Sequence, residues 1–179
     1  MHAFVQALLI GLLYWFCRTN MFHTFTTRLA NCPMALAVPI GLIMGDVRQA
    51  VIIGAFIQAL YVGLIAGLGG VLVIDKALAT CLAIPIAMEA GMTPELAVTM
   101  AIPFGLLGTV IVNIFKMVMT YFVHVADRCA EEANTRKIRL LAFVYPLLVN
   151  IPLCVIPVTA IVYLGPDAVK SMLDLIPQA

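Results

Sequence analysis

Charge is scarce in this sequence: Asp, Glu, Lys and Arg make up 11% of its 179 residues, less than half of the roughly 25% usual in soluble domains. Too few charges remain to cover a surface facing water. Neither sign dominates, since ten Lys and Arg stand against nine Asp and Glu; this removes the footprint of a nucleic-acid binder or a strongly basic membrane-surface face. The five cysteines (Cys17, Cys32, Cys81, Cys129, Cys154) show no CxxC spacing and no histidine partner. A metal or redox site is therefore not expected, and they read as small buried hydrophobes. A Ser/His/Asp arrangement, a phosphate-cradling glycine loop and a metal cluster are also missing, so no conventional enzyme site and no cofactor are expected.

What is abundant is apolar surface: 64% of residues are hydrophobic and the mean hydropathy is +1.11. The chain reads as an all-α integral membrane protein, a polytopic helical bundle with the lipid bilayer as its solvent. "MHAFVQALLIGLLYWFCRTN" has no Lys or Arg before its apolar stretch and no small-residue cleavage site after it, so it reads as a retained first helix. Apolar stretches run over Ala3–Phe16, Pro33–Gly45, Ala50–Ala66, Ala77–Ala90, Leu96–Val125 and Leu140–Leu164. A helix needs roughly 20 apolar residues to cross a bilayer, and only the last two stretches are comfortably long. Short polar connections predict one membrane domain over residues 1–179, with short, broken and re-entrant segments.

The run "AVPIGLIMGDVRQ" is the clearest misfit, too short for a span and interrupted by Pro39, Gly41 and Gly45. Its start recurs as "AIPFGL" at Ala101, an echo of the repeats with broken helices found in transporters. Gly41 and Gly45, then Gly63 and Gly67, have GxxxG spacing for close helix contact. "GLGGVLVIDKALATCLAIPIAMEA" reads as a re-entrant hairpin bent by Gly67, Gly69, Gly70 and Pro85. Irregular backbone at membrane depth persists only against protein or a water-filled cavity.

Orientation follows from "DRCAEEANTRKIR", which holds Arg128, Arg136, Lys137 and Arg139, four of the ten basic residues. That loop is expected on the cytoplasmic side. "MTPEL" predicts a helix start, with Thr93 as N-cap, Pro94 in the first helical position and Glu95 in the first turn. Gly91 then marks an external turn, and working backward puts Asp46 and Arg48 on the cytoplasmic side.

Polar residues in such a chain are functional candidates by default. Asp46, Gln58 and Asp75 supply carboxylates and a carboxamide, and broken backbone supplies more partners, a set that suits a solute rich in hydroxyls. The plainer alternatives stand beside this: Asp46 punctuating a turn, Asp75 and Lys76 in a solvated loop, Gln58 in a helix–helix hydrogen bond. Thr109, Asn113, Lys116, Thr120 and His124 recur every three or four residues, drawing a polar stripe that lines either a wet path or a seam with another subunit.

"GLIMGDVRQAVIIGAFIQALYVGLIAGLGG" resembles the membrane component IIC of the mannose, fructose and sorbose class of the bacterial sugar phosphotransferase system (PTS). The matching positions are Gly41, Gly45, Asp46, Gly54, Gln58, Tyr61, Gly63, Gly69, Gly70 and Asp75. "GMTPELAVTMAIPFGLLG" and "HVADRCAEEAN" resemble the family's external turn, its P-x-G-L-L-G helix and its H-x-x-D-x-x-x-E loop. The resemblance extends over most of the chain.

It implies a sugar permease of the bacterial inner membrane, taking up a hexose or amino sugar as it is phosphorylated. It further implies a hetero-oligomer with a membrane subunit IID and cytoplasmic IIA and IIB phosphocarriers. The phosphorylated histidines belong to those carriers, so His2, His23 and His124 are not expected to be phosphorylated and the chain is not an enzyme by itself. Expected sugar contacts are Gln58, Asp46, Asp75, the backbone at Gly69 and Gly70, and Asn20; Thr109, Asn113, Lys116 and Thr120 are expected at the partner seam. Asn20 departs from the family's acidic residue, Cys32 from its arginine, and "GGVLVID" lacks its prolines. Family members also continue past Ala179, so the resemblance describes a C-terminally shortened component that another chain completes, or one that assembles without transporting. A membrane scaffold binding IID and an ion-coupled permease of another class are the rival readings.

Overall fold

The computed structural model describes residues 2–19, 23–62, 74–132 and 135–174. Seven helices follow in order, α1 His2–Arg18, α2 His23–Asn31, α3 Pro33–Met44, α4 Val47–Val62, α5 Lys76–Ala90, α6 Pro94–Glu131 and α7 Thr135–Asp174, and no strand occurs among the described residues. α6 is long and apolar enough to cross a membrane, as is α7 over Thr135–Val169. α1 and α4 have 17 and 16 residues, or about 25 Å of helix each at 1.5 Å per residue.

α2 and α3 meet at an angle of 89°. Pro33 opens α3 at its first position, where a missing N–H costs nothing because that group has no partner within the helix. α3 stops after 12 residues at Gly45, whose φ of +91° is left-handed and whose N–H bonds the Gly41 carbonyl at 2.8 Å. Only glycine adopts that conformation without a Cβ clash. Asp46 then starts α4, its Oδ1 accepting the Gln49 N–H at 2.9 Å. The GxxxG reading of Gly41 and Gly45 thus divides into two roles. A Cβ on Gly41 would stand 2.6 Å from Val47 Cα, while one on Gly45 would meet nothing within 4 Å. Gly41 packs the α3–α4 hairpin and Gly45 terminates a helix.

α5 is enclosed, with every residue from Ala77 to Ala87 buried. A helix apolar on all sides belongs in an interior. It continues as helix through Pro85, and packing on every side holds it across the lost backbone hydrogen bond. Gly63, Gly67, Gly69 and Gly70 lie outside the described residues. At the α5–α6 turn Gly91 has φ +64°, and Thr93 occupies the N-cap position before Pro94 and Glu95. That start is as expected, although the Thr93 side chain makes no capping bond.

Contacts between helices correct the expected topology. Gln6, near the start of α1, donates through Nε2 to the Ile43 carbonyl at the end of α3. Thr159 donates to the Ala7 carbonyl, and a Cβ on Gly165 would meet Ile86, near the end of α5. The turns at Gly45–Asp46 and Gly91–Thr93 therefore share one end of the bundle, not opposite sides. The 16-residue α4 leaves this same end, so reading Ala50–Ala66 as a full crossing between Asp46 and the side of Gly91 misplaces Asp46. α1, α3, α4 and α5 run between this shared end and an interior level, while α6 and α7 extend farther, toward Glu131 and the basic residues Arg136, Lys137 and Arg139 at the start of α7.

Candidate functional site

The inner ends of the short helices meet at Asp75. Its backbone N–H bonds the Gly105 carbonyl at 3.2 Å, and its Oδ1 accepts the Leu78 N–H at 3.1 Å, capping α5. Oδ2 accepts the Tyr14 hydroxyl at 2.7 Å and lies 3.9 Å from Arg18 Nη1. That last separation is beyond hydrogen-bond length, so Arg18 balances charge without being bound in place. Asp75 is 5% exposed; a buried carboxylate is tolerated when donors and a counter-charge surround it.

The glycines of "IPFGLLG" explain how α6 comes so close. A Cβ on Gly108 would stand 2.5 Å from Asp75 Cβ, and one on Gly105 would strike Ile74 and come within 2.8 Å of the Tyr61 hydroxyl. Tyr61 in turn donates to the Ala101 carbonyl at 2.9 Å. The echo between Ala37 and Ala101 therefore marks two proline-containing helices in which Gly41 and Gly105 are each a point of close approach.

Beside Asp75 is a cavity of about 360 Å³, lined by α1 through Cys17, Arg18 and Thr19, by α2 through Thr26, Thr27, Ala30 and Asn31, by Ile74 to Lys76, and by Val112, Phe115 and Lys116 of α6. This is at the lower end of the size range of small-molecule sites. Hydroxyl, carboxamide, ammonium, guanidinium and carboxylate groups all reach it. A smaller cavity of about 130 Å³ adjoins Arg18 and Thr19 from the α7 side, where Asn150 lies. Asn150 Nδ2 donates to the Arg18 carbonyl at 3.4 Å. Cys17, Cys81, Cys129 and Cys154 are buried, Cys32 partly so, and all five are free thiols.

Of the residues singled out from the sequence, Asp75 is at the centre of this site. Lys116, expected at a subunit seam, lines the cavity as well. Asp46 is exposed at the other end, where it caps α4. Gln58 lies on α4 away from the cavity lining, and its Oε1 is buried with no hydrogen-bond partner among the described residues. The structure does not bring Asp46, Gln58 and Asp75 together. Asn20, Gly69 and Gly70 fall outside the described residues. Along the stripe, Asn113, Lys116 and Thr120 are exposed and Thr109 partly so; Thr109 and Thr120 donate to their own helix at Gly105 and Lys116.

Sequence reasoning missed Tyr14 and Arg18. The signal was present, since Arg18 is the first charged residue of the chain, but it points to no partner by itself.

Residues 4–179 match the family described as "PTS system sorbose-specific iic component". The chain is 30% identical over 150 residues to the "PTS system sorbose-specific EIIC component" of Lacticaseibacillus casei, covering 82% of this chain and 52% of that protein. It is 27% identical over 174 residues to the protein of the same description from Klebsiella pneumoniae, covering 95% and 64%. The chain thus spans between half and two thirds of the length of these curated relatives. A solved structure described as "CryoEM Structure of Mannose Transporter ManYZ and Microcin E492 (MceA) complex" superposes with a TM-score of 0.71 at 23% identity, over 98% of this chain and 67% of that one, which establishes a shared fold. With an all-helical membrane-type architecture and a family match over almost its whole length, the chain belongs to the IIC components of the sorbose and mannose class of the phosphotransferase system.

Proposed function

We propose that the chain is the sugar-translocating subunit of a mannose-class phosphotransferase complex in the bacterial inner membrane, taking up a hexose or amino sugar whose phosphorylation is carried out by partner subunits. The observation that carries this reading is the buried Asp75, fixed by Tyr14 and the α5 N-terminus beside a polar cavity of about 360 Å³. A carboxylate with fixed orientation accepts from adjacent sugar hydroxyls, and the surrounding hydroxyl and amide groups satisfy others. Cavity walls made of helix ends also give the solute backbone groups, which regular lipid-facing helices withhold.

In this reading Asp75 is the principal sugar contact. Gln58, with its unpartnered oxygen, is a second, reached from α4 as the carrier moves, and the backbone at Gly69 and Gly70 and the Asn20 side chain complete the set. Asp46 marks the α3–α4 turn and contributes through the position of that hairpin. The outer face of α6 through Thr109, Asn113 and Thr120 meets IID, while Lys116 lines the cavity, and IIA and IIB supply the phosphoryl group.

Reconstitution tests this reading. Vesicles containing the partner subunits take up and phosphorylate sugar when this chain is included and fail without it. Equal uptake in its absence, with the partners still inserted, would make it a scaffold.

A further inference from the structure

The cavity beside Asp75 carries more positive charge than its single carboxylate balances. Arg18, Lys76 and Lys116 all line it, and Asp75 is the one acidic residue among the lining groups. The charge of Asp75 is already balanced by Arg18, while the Tyr14 hydroxyl and the Leu78 N–H occupy one acceptor position on each of its oxygens and leave the others for hydroxyls. Lys76 and Lys116 form no ion pair among the described residues. The N-terminus of α5, the positive end of its dipole, borders the same space through Asp75 and Lys76. Hydroxyl recognition explains Asp75 and the threonines but gives no reason for two unmatched ammonium groups beside a membrane interior, where uncompensated charge is costly.

We infer that this cavity binds a carbohydrate bearing an oxyanion, with the polyol against Asp75 and the anion between Lys76 and Lys116. This rests on the sugar-binding reading above and narrows its ligand. The anion has two possible sources, a carboxylate of a sugar acid that enters as substrate or the phosphoester of a sugar after phosphoryl transfer. Position agrees with the second source. Along α6 the order Gly108, Phe115, Lys116 leads from Asp75 toward Glu131 and the basic start of α7 at Arg136, Lys137 and Arg139, the end expected to face the cytoplasm.

Calorimetric titration of the purified complex containing the full chain tests this, using a neutral hexose, the matching hexuronate and the hexose 6-phosphate at low and high salt. At least one anionic form is expected to bind tenfold or more tightly than the neutral hexose, with the advantage shrinking as salt rises. In the double variant K76Q/K116Q the ratio of anionic to neutral affinity should fall at least tenfold. The hexuronate and 6-phosphate arms separate an incoming sugar acid from a phosphorylated product. Anionic forms binding no better than the neutral hexose, or an unchanged ratio in the folded double variant, would overturn the inference. If neutral hexose binding is meanwhile weakened by Asp75→Asn, the broader sugar-binding reading survives; if no carbohydrate binds the wild-type complex, both fall together.

Discussion

Tyr14 and Asp75, 61 residues apart, are joined by a 2.7 Å hydrogen bond that ties the inner half of α1 to the first turn of α5. Tyr14 is fully buried, so no water stands ready to replace its hydroxyl. The bond fixes one carboxylate oxygen and leaves the cavity bordered by a group that has little freedom to turn.

Replacing Tyr14 by Phe removes that donor and changes little else. Losing a hydrogen bond to a charged acceptor should lower stability by about 1.5–3 kcal/mol. Thermal unfolding of the detergent-purified protein reads the loss. Sugar uptake should weaken mainly through a raised KM, because Asp75 remains but is less well oriented.

Two glycine replacements should separate close approach from helix termination. Gly108→Ala drives a methyl into Asp75 Cβ, 2.5 Å away, an overpacking worth about 1–3 kcal/mol that also displaces the site. Gly45→Ala meets no atom within 4 Å and carries only the burden of φ +91°, about 1–2 kcal/mol. Uptake normalised to folded protein should therefore drop sharply for Gly108→Ala and stay near wild type for Gly45→Ala.

Gln58→Leu should have opposite effects on fold and function. Its Oε1 is buried without a partner among the described residues, and removing an unsatisfied polar group from an interior is neutral or stabilising. Thermal stability should hold or rise while uptake falls. Unchanged uptake would remove Gln58 from the transport path.

Membrane sidedness is directly accessible. In a cysteine-free background, Asp46→Cys and Thr93→Cys should react with an impermeant thiol reagent from the same side, and Glu132→Cys from the other. All three positions are exposed.

Local chemistry made part of this architecture readable. The start of α6 follows from Thr93-Pro94-Glu95, because proline is preorganised for the first helical position, and the length of the apolar runs after Leu96 and Leu140 identifies the two long helices. The answer to the short run at Ala37 was only half visible. A breakable segment of 12 residues was evident, but that α3 starts inside the bundle depends on the 89° turn from α2, a tertiary arrangement absent from any local pattern. Asp75 stood out as an acid in an apolar stretch, yet its partners Tyr14 and Arg18 are 61 and 57 residues away and no periodicity connects them. Burial of α5 was equally hidden, since an apolar helix in a protein interior and one facing lipid have the same composition.

The central claim is that Asp75 receives the sugar. Asp75→Asn keeps the shape of the side chain and an oxygen able to cap α5, while removing the charge and half of the acceptor capacity. Uptake should be measured in the reconstituted complex, with assembly quantified in the same vesicles. The account predicts at least a tenfold fall in uptake at unchanged assembly, and uptake equal to wild type would contradict it.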